Sequence, residues 1–385
     1  MISPIPSRLW AISLIGLWLT TGCAITPEPA PESRTPEVGA MPSDQALEPP
    51  LAPKSANVEK ISVVAVGDIM LGTDYPNDHL PPENGENLLS GVLVPLRNAD
   101  ITFGNYEGTL LDGGEAAKQC KNPQHCYVFR TPTRFVPWLS EAGFDVLSLA
   151  NNHARDFGDE GRQASMQALD AAGIRHSGME GDIASWEVGG LRVAMIAYAP
   201  FRGAHDPLML DLARSQIAAL AASHDLLLVS MHMGAEGEDA TRLPFAEEMF
   251  HGERRGDSVA FAHAVVEAGA DLVLGHGPHV PRAIELYRDR LIAYSLGNFC
   301  TYYGINVRGV NGLAPILRVE LAADGRFLSG EIISNRQIRP SGPQPDASHE
   351  AARLIAGLTQ LDFPQTLLEI SATGSISRKT GITKP

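Results

Sequence analysis

Residues 145–161, DVLSLANNHARDFGDEG, carry the pattern that decides the fold. DVLSLA is a short, β-rich apolar run and reads as a buried strand. The run breaks at Asn151-Asn152-His153, and helical spacing begins near Asp159, continuing through EGRQASMQALDAAG to a closing glycine. Strand, polar turn and helix in that order are one step of an alternating α/β chain. The same step recurs on both sides. ISVVAV, ITFG, RVAMIAYA, DLLLVS, DLVLG and LIAYSL read as further strands, and PTRFVPWLSEAG, DPLMLDLARSQIAALAAS and DSVAFAHAVVEAGA as further helices. This alternation predicts an α/β sandwich. Downstream, APILRVELAADGRFLSGEIIS predicts a hairpin turning at Asp324-Gly325.

The residues that terminate each apolar run are more informative than the runs themselves. ISVVAV ends in Gly67-Asp68 and ITFG in Asn105-Tyr106-Glu107-Gly108. DLLLVS ends in Met231-His232 with Glu236 beyond it, DLVLG in His276-Gly277-Pro278-His279, and LIAYSL in Gly297-Asn298. In open α/β sheets, ligands bind in the crevice beyond the carboxyl ends of the strands. Carboxylate, amide and imidazole groups converging there make an N/O donor set suited to Mn, Fe or Zn. Glycines beside Asp68, Glu107, His276 and Asn298 read as tight-turn residues. The remaining histidines, among them His79, His205, His224, His251 and His263, are expected at the surface, with His176 near the rim.

Composition narrows the function. The 385 residues are 44% apolar and 19% charged, as in ordinary folded proteins. A net charge of −15 argues against a nucleic-acid partner, which needs clustered Lys and Arg. Residues 1–23 read as an export signal: Arg8, an apolar run from Leu9 to Leu19, then Thr20-Thr21-Gly22-Cys23. The run is short for a membrane span. Residues 24–57, rich in Pro and Glu, read as an extended tether, residues 58–340 as the folded domain, and residues 341–385 as a C-terminal helix and polar tail. Cys120 and Cys126 flank a short loop and are candidates for a disulfide in an oxidising compartment, whereas Cys300 reads as a small core residue.

The end of the signal resembles a bacterial lipobox, with Cys23 as the lipidated residue, although Leu19 stands four positions before it rather than three. The resemblance implies a cell-envelope lipoprotein on the periplasmic side, held to a membrane by its lipid. Ala24, where an inner-membrane lipoprotein typically has Asp, tilts the expectation toward the outer membrane.

VAVGDIMLG, FGNYEGTL, LSLANNHARDFGDEG, HMGAEG, AGADLVLGHGPHVPRAIELY and LIAYSLGNF together resemble the bacterial capsule synthesis protein family (PGA_cap, CapA-like). That family is similar in fold to calcineurin-like metallophosphoesterases. The resemblance implies a four-layered α/β sandwich with its site at the C-terminal ends of the strands, binding two divalent metal ions (Mn, Fe or Zn). It implies Asp68, Glu107, Asn152, His232, His276 and His279 as metal ligands, with Glu107 in the bridging place. His153 would be the catalytic acid, and Asn105, Glu236 and Asn298 would support the centre. Two departures weaken one metal position: Asp68-Ile69-Met70 lacks the His of the superfamily's first motif, and the closing motif carries an extra residue between His276 and His279.

The sequence leaves three readings of function open. The first is an envelope hydrolase acting on a phosphoester or amide. The second is a non-catalytic accessory to poly-γ-glutamate or capsule production, binding an anionic polymer beside a membrane polyglutamate synthase. The third is a binding lipoprotein whose site has decayed.

Overall fold

The computed structural model describes residues 58–119 and 127–379. The expected lipidation at Cys23, the tether and the Cys120–Cys126 pairing lie outside those residues. No helix among the described residues is long and apolar enough to cross a membrane.

Two sheets carry the chain. The larger runs in the order Leu368–Ile370, Ser375–Arg378, Phe327–Ile333, Ile316–Ala322, Lys60–Met70, Ile101–Tyr106, Val146–Ser148, Arg175–Ser177. Asn298–Thr301 pairs with the end of Lys60–Met70 off this path. The smaller runs Ile284–Tyr287, Arg290–Ala293, Leu272–His276, Leu226–His232, Leu191–Tyr198, Ala184–Val188. Their central strands are parallel and covered on both faces, which is why LLLVSMH and LVLGH are buried at every position.

Side-chain alternation sorts these strands into layers. Ile61, Val63 and Ala65 of one sheet share a core with Val193, Met195 and Ala197 of the other. The opposite faces look outward. Val64 and Val66 pack with Leu139 and Leu169 of the helices Val136–Ala142 and Gly158–Ala171. Ala194 and Ile196 pack with Ile217 and Val265 of Leu210–Ala221 and Ser258–Ala268. The result is the expected four-layered sandwich: helix, sheet, sheet, helix. Each Val, Leu, Ile or Met side chain moved from water into these cores contributes about 1.5–3 kcal/mol.

The structure also departs from the expectations. The segment expected as a helix and polar tail supplies the helix Glu350–Asp362 and then the strands Leu368–Ile370 and Ser375–Arg378, which extend the larger sheet beyond Phe327–Ile333. Ile355, Leu368 and Ile376 lie in the core between the sheets, so a boundary at 340 does not separate this segment from the sandwich. Asn298 does not end a strand but begins one. Asp68 does not end its strand either; pairing continues to Met70 across a register shift. His205 and His176 are buried rather than at the surface.

Candidate metal centre

Strand register assembles the centre. Asp68 lies opposite Asn105 on one neighbouring strand and Asn298 on the other. In the second sheet, His232 and His276 end adjacent parallel strands as register partners. Asp68 occupies the point where its strand changes partner, leaving Ile316–Ala322 and joining Asn298–Thr301. That exchange requires Gly67. Asp68 N–H donates to Gly297 O at 2.9 Å, and a Cβ on Gly67 would lie 1.8 Å from the same oxygen.

The side chains then meet. Asn105 Nδ2 donates to Asp68 Oδ1 at 2.8 Å and lies 3.4 Å from His232 Nδ1. His276 Nδ1 is 3.8 Å from Asp68 Oδ1. His279, at φ 60, points Nδ1 at Asp68 Oδ2 and Asn298 Oδ1, both 3.0 Å away. Its Nε2 faces Glu107 Oε1 at 3.6 Å and Glu236 Oε2 at 3.7 Å. Asn298 fixes this loop by donating to the carbonyls of His279, Asn306 and Asn311. Glu236 is held by Arg255 at 2.7 Å. Its loop is braced by the fully buried Arg282, which donates to Ala240 O and forms a two-pronged pair with Glu248 at 2.8 Å.

The charges explain one another. Burial alone would raise the Asp68 carboxyl, but the His279 hydrogen bond and the charges of His279, His276 and His232 hold it below the usual range. Glu107 is pushed well above that range, first by burial and then by Asp68 and Glu236. Burial opposes a charge on His279, yet Glu107, Asp68 and Glu236 outweigh it and raise its pKa to about 10. Burial lowers His276 to about 4 and holds His232 well below the ordinary imidazole value.

A second group adjoins these. His153 Nδ1 lies 2.7 Å from Asp156 Oδ2, which also accepts from Phe129 N–H at 2.8 Å. Lys118 Nζ meets Asp156 Oδ1 at 3.0 Å and His153 Nδ1 at 3.4 Å. Burial lowers the His153 pKa, with Lys118 assisting and Asp156 opposing. His153, Glu236 and His279 line one cavity of about 320 Å³, with Phe129, Phe250 and Asn311.

The amide joining this group to the centre is Asn151, a residue to which the sequence assigns no role. Its Nδ2 donates to Asn105 Oδ1 at 3.3 Å and Tyr106 O at 2.8 Å, and its Oδ1 accepts from His153 N–H at 3.1 Å. Asn152, expected as a ligand, has its Oδ1 buried without a partner and also lines a neighbouring cavity. Asp156 and Lys118 contact His153 and are partners that the sequence reading misses. The three-residue spacing of His153 and Asp156 is an available signal, whereas nothing in the sequence marks Lys118.

The donor set fits a divalent cation. Among the described residues, both oxygens of Glu107, Oδ1 of Asn152, Nε2 of His232 and both ring nitrogens of His276 are buried without a hydrogen-bond partner. Leaving such atoms unpaired costs about 1–3 kcal/mol each. Donor atoms of Asp68, Glu107 and His279 lie within 4.8 Å of one another.

A family model described as bacterial capsule synthesis protein PGA_cap matches residues 62–303. The chain is 31% identical over 274 residues to the capsule biosynthesis protein CapA of Bacillus anthracis, covering 63% of this chain and 60% of that protein. It is 32% identical over 241 residues to a probable polyglutamine synthesis accessory protein of Mycobacterium tuberculosis, covering 55% of this chain and 59% of that protein. The matches therefore span about three-fifths of these relatives' lengths. A putative 5'-nucleotidase from Staphylococcus aureus, in complex with alpha-ketoglutarate, aligns with a TM-score of 0.41 and 13% identity, covering 78% of this chain and 58% of that one.

Proposed function

From the premise that this chain belongs to the bacterial capsule synthesis protein family, we propose that it is an envelope-anchored accessory of capsule or polyglutamate production whose buried centre hydrolyses a phosphoester or amide with two divalent cations. The observation that carries the reading is the set of buried, unpartnered donors on Glu107, Asn152, His232 and His276. Asp68, Glu107, Asn152, His232, His276 and His279 would hold the ions, from Mn, Fe or Zn. Bound there, the ions would polarise the scissile group and make water more acidic.

The chain's own residues do the rest. Asn105 and Asn298 orient Asp68 and His279 through their side-chain hydrogen bonds. Asp156 fixes the His153 tautomer with its proton on Nδ1, leaving Nε2 as the free ring nitrogen of a residue that lines the cavity. Because burial keeps His153 neutral near pH 7, it would first take a proton from the attacking water and then deliver it to the leaving oxygen or nitrogen. The export signal and lipobox-like Cys23 support an anchored location on the periplasmic side, with the outer membrane favoured by Ala24. The mycobacterial relative, named a probable polyglutamine synthesis accessory protein, supports an accessory role, and we take a membrane polyglutamate synthase as the partner.

The test is metal analysis of purified protein alongside hydrolysis of phosphodiesters and γ-linked glutamyl peptides. Wild type should hold close to two equivalents, His232→Ala fewer, and His153→Ala should keep the metal while losing turnover. Protein that takes up no Mn, Fe or Zn ends the reading. One observation favours the non-catalytic accessory instead. His279 carries a proton among three carboxylates, so an imidazolium can balance this corner without an ion. Full metal loading without turnover on any substrate would select that reading.

A further inference from the structure

Behind the His153–Asp156 pair lies a second cavity, of about 170 Å³, distinct from the one that His153 lines. Its charged lining is Lys118, Arg155, Arg162, Arg202 and a single carboxylate, Asp156. Four cations around one small cavity are unexpected in a chain of net charge −15. We propose that this cavity is an oxyanion subsite, holding a carboxylate or phosphoryl group of the substrate one step away from the reacting centre. The proposal rests on the hydrolase reading for the word substrate, and on its own geometry for the anion.

Arg162 supplies the strongest observation. It is 4% exposed, and its Nη1 and Nη2 donate to the carbonyls of Gly203 and Arg202, yet its Nε is buried without a partner. Arg155 converges on it. A Cβ at Gly203 would stand 3.0 Å from Arg162 Nη1 and 3.1 Å from Arg155 Nη1. Bringing two guanidinium groups to one point is unfavourable unless negative charge joins them. Asp159 pairs with Arg155 at 2.7 Å but is itself an exposed residue on the adjoining helix and not part of the cavity wall. Guanidinium groups bind planar carboxylate and phosphate in two-pronged fashion, so the lining selects oxyanions rather than halide or amine.

Position gives the cavity its meaning. Asn152 and Asp156 stand in its wall, and Lys118 reaches from it to Asp156 and His153. A substrate spanning both cavities would place one anionic group here and its scissile bond beside His153. A γ-glutamyl chain, with one carboxylate per unit, and a phosphodiester-linked polymer both meet that requirement.

The test titrates EDTA-treated full-length protein with inorganic phosphate in one arm and γ-glutamylglutamate in the other, by calorimetry. Wild type should bind at least one of them, the tighter arm naming the group. Arg155→Ala with Arg202→Ala, both at partly or fully exposed positions, should weaken binding about tenfold or more while metal content of untreated protein is unchanged. Arg162→Lys, which keeps charge but loses the planar fork, should weaken it as well. Binding by neither anion, or binding that the arginine variants leave unaltered, overturns the subsite. Failure of metal uptake with intact anion binding would instead sink the hydrolase reading and leave this one standing.

Discussion

At the scale of single residues, the buried pair of His153 and Asp156 is where polar chemistry is most exposed to test. Asp156 is fully buried and shared between imidazole, Lys118 and Phe129 N–H. Asp156→Asn keeps the shape but can present an N–H to Nδ1, which favours the other tautomer and puts the proton on Nε2. Turnover on whichever substrate is found should fall by about 10²-fold or more, with metal content unchanged. His176 offers a test by pH. Burial opposes its charge, but Asp182 at 2.9 Å and Asp170 at 3.3 Å raise its pKa above 6.5. A histidine whose folded pKa is raised stabilises the fold fully below its unfolded value of 6.5 and loses that contribution as pH climbs through the folded value. Thermal midpoints should therefore decline above pH 6.5 in wild type, and the decline should be shallower in His176→Gln.

At the scale of strands and turns, the two glycines beside the carboxylates separate turn chemistry from close approach. In the sequence Gly67 and Gly108 both read as turn residues, yet neither has a positive φ. A Cβ on Gly67 would strike Gly297 O at 1.8 Å, whereas on Gly108 its nearest neighbour would be Phe129 Cβ at 3.5 Å, an ordinary contact. Gly67→Ala should cost about 3 kcal/mol or more in denaturant unfolding, through overpacking and the lost Asp68 N–H bond. Gly108→Ala should cost little; equal losses would contradict the close-approach account. The same distinction marks how much of the fold is legible in the sequence. Strands of the parallel centre announce themselves because both faces are covered and apolar residues dominate. Arg175–Ser177, Asn298–Thr301 and Ser375–Arg378 are three or four residues long and carry polar side chains. Their order comes from the neighbour they pair with, so no local pattern identifies them. The centre is legible for the mirror reason: Asp68, Glu107, His232 and His276 each interrupt or end an apolar run. Asn151, Asp156 and Lys118 act through contacts that only folding creates.

At the scale of the molecule, the centre draws on both sheets at once. Asp68 and Asn105 come from the larger, Glu107 from the turn just after its strand Ile101–Tyr106, and His232 and His276 from the smaller. The apolar layer between the sheets is non-directional and fixes their spacing better than their sliding. A cation gripped from both sides would fix the sliding too. Binding to the folded chain alone stabilises it by about 2.7 kcal/mol at a hundredfold excess over Kd. For this centre the linkage has a second consequence. Without an ion, the charges of Glu107, Asp68 and Glu236 raise His279 to about 10, so it holds a proton near neutrality. An ion held by His279 must displace that proton, and its affinity should rise with pH. EDTA treatment should thus lower the thermal midpoint. Re-addition of Mn or Zn should restore it, more completely at pH 8 than at pH 6. The calorimetric enthalpy of re-addition should vary with the ionisation enthalpy of the buffer, which counts the released protons. His232→Ala removes a donor from the smaller sheet and should abolish both the restoration and the buffer dependence. Should the midpoint respond to metal equally in that variant, the ion binds elsewhere and does not join the two sheets.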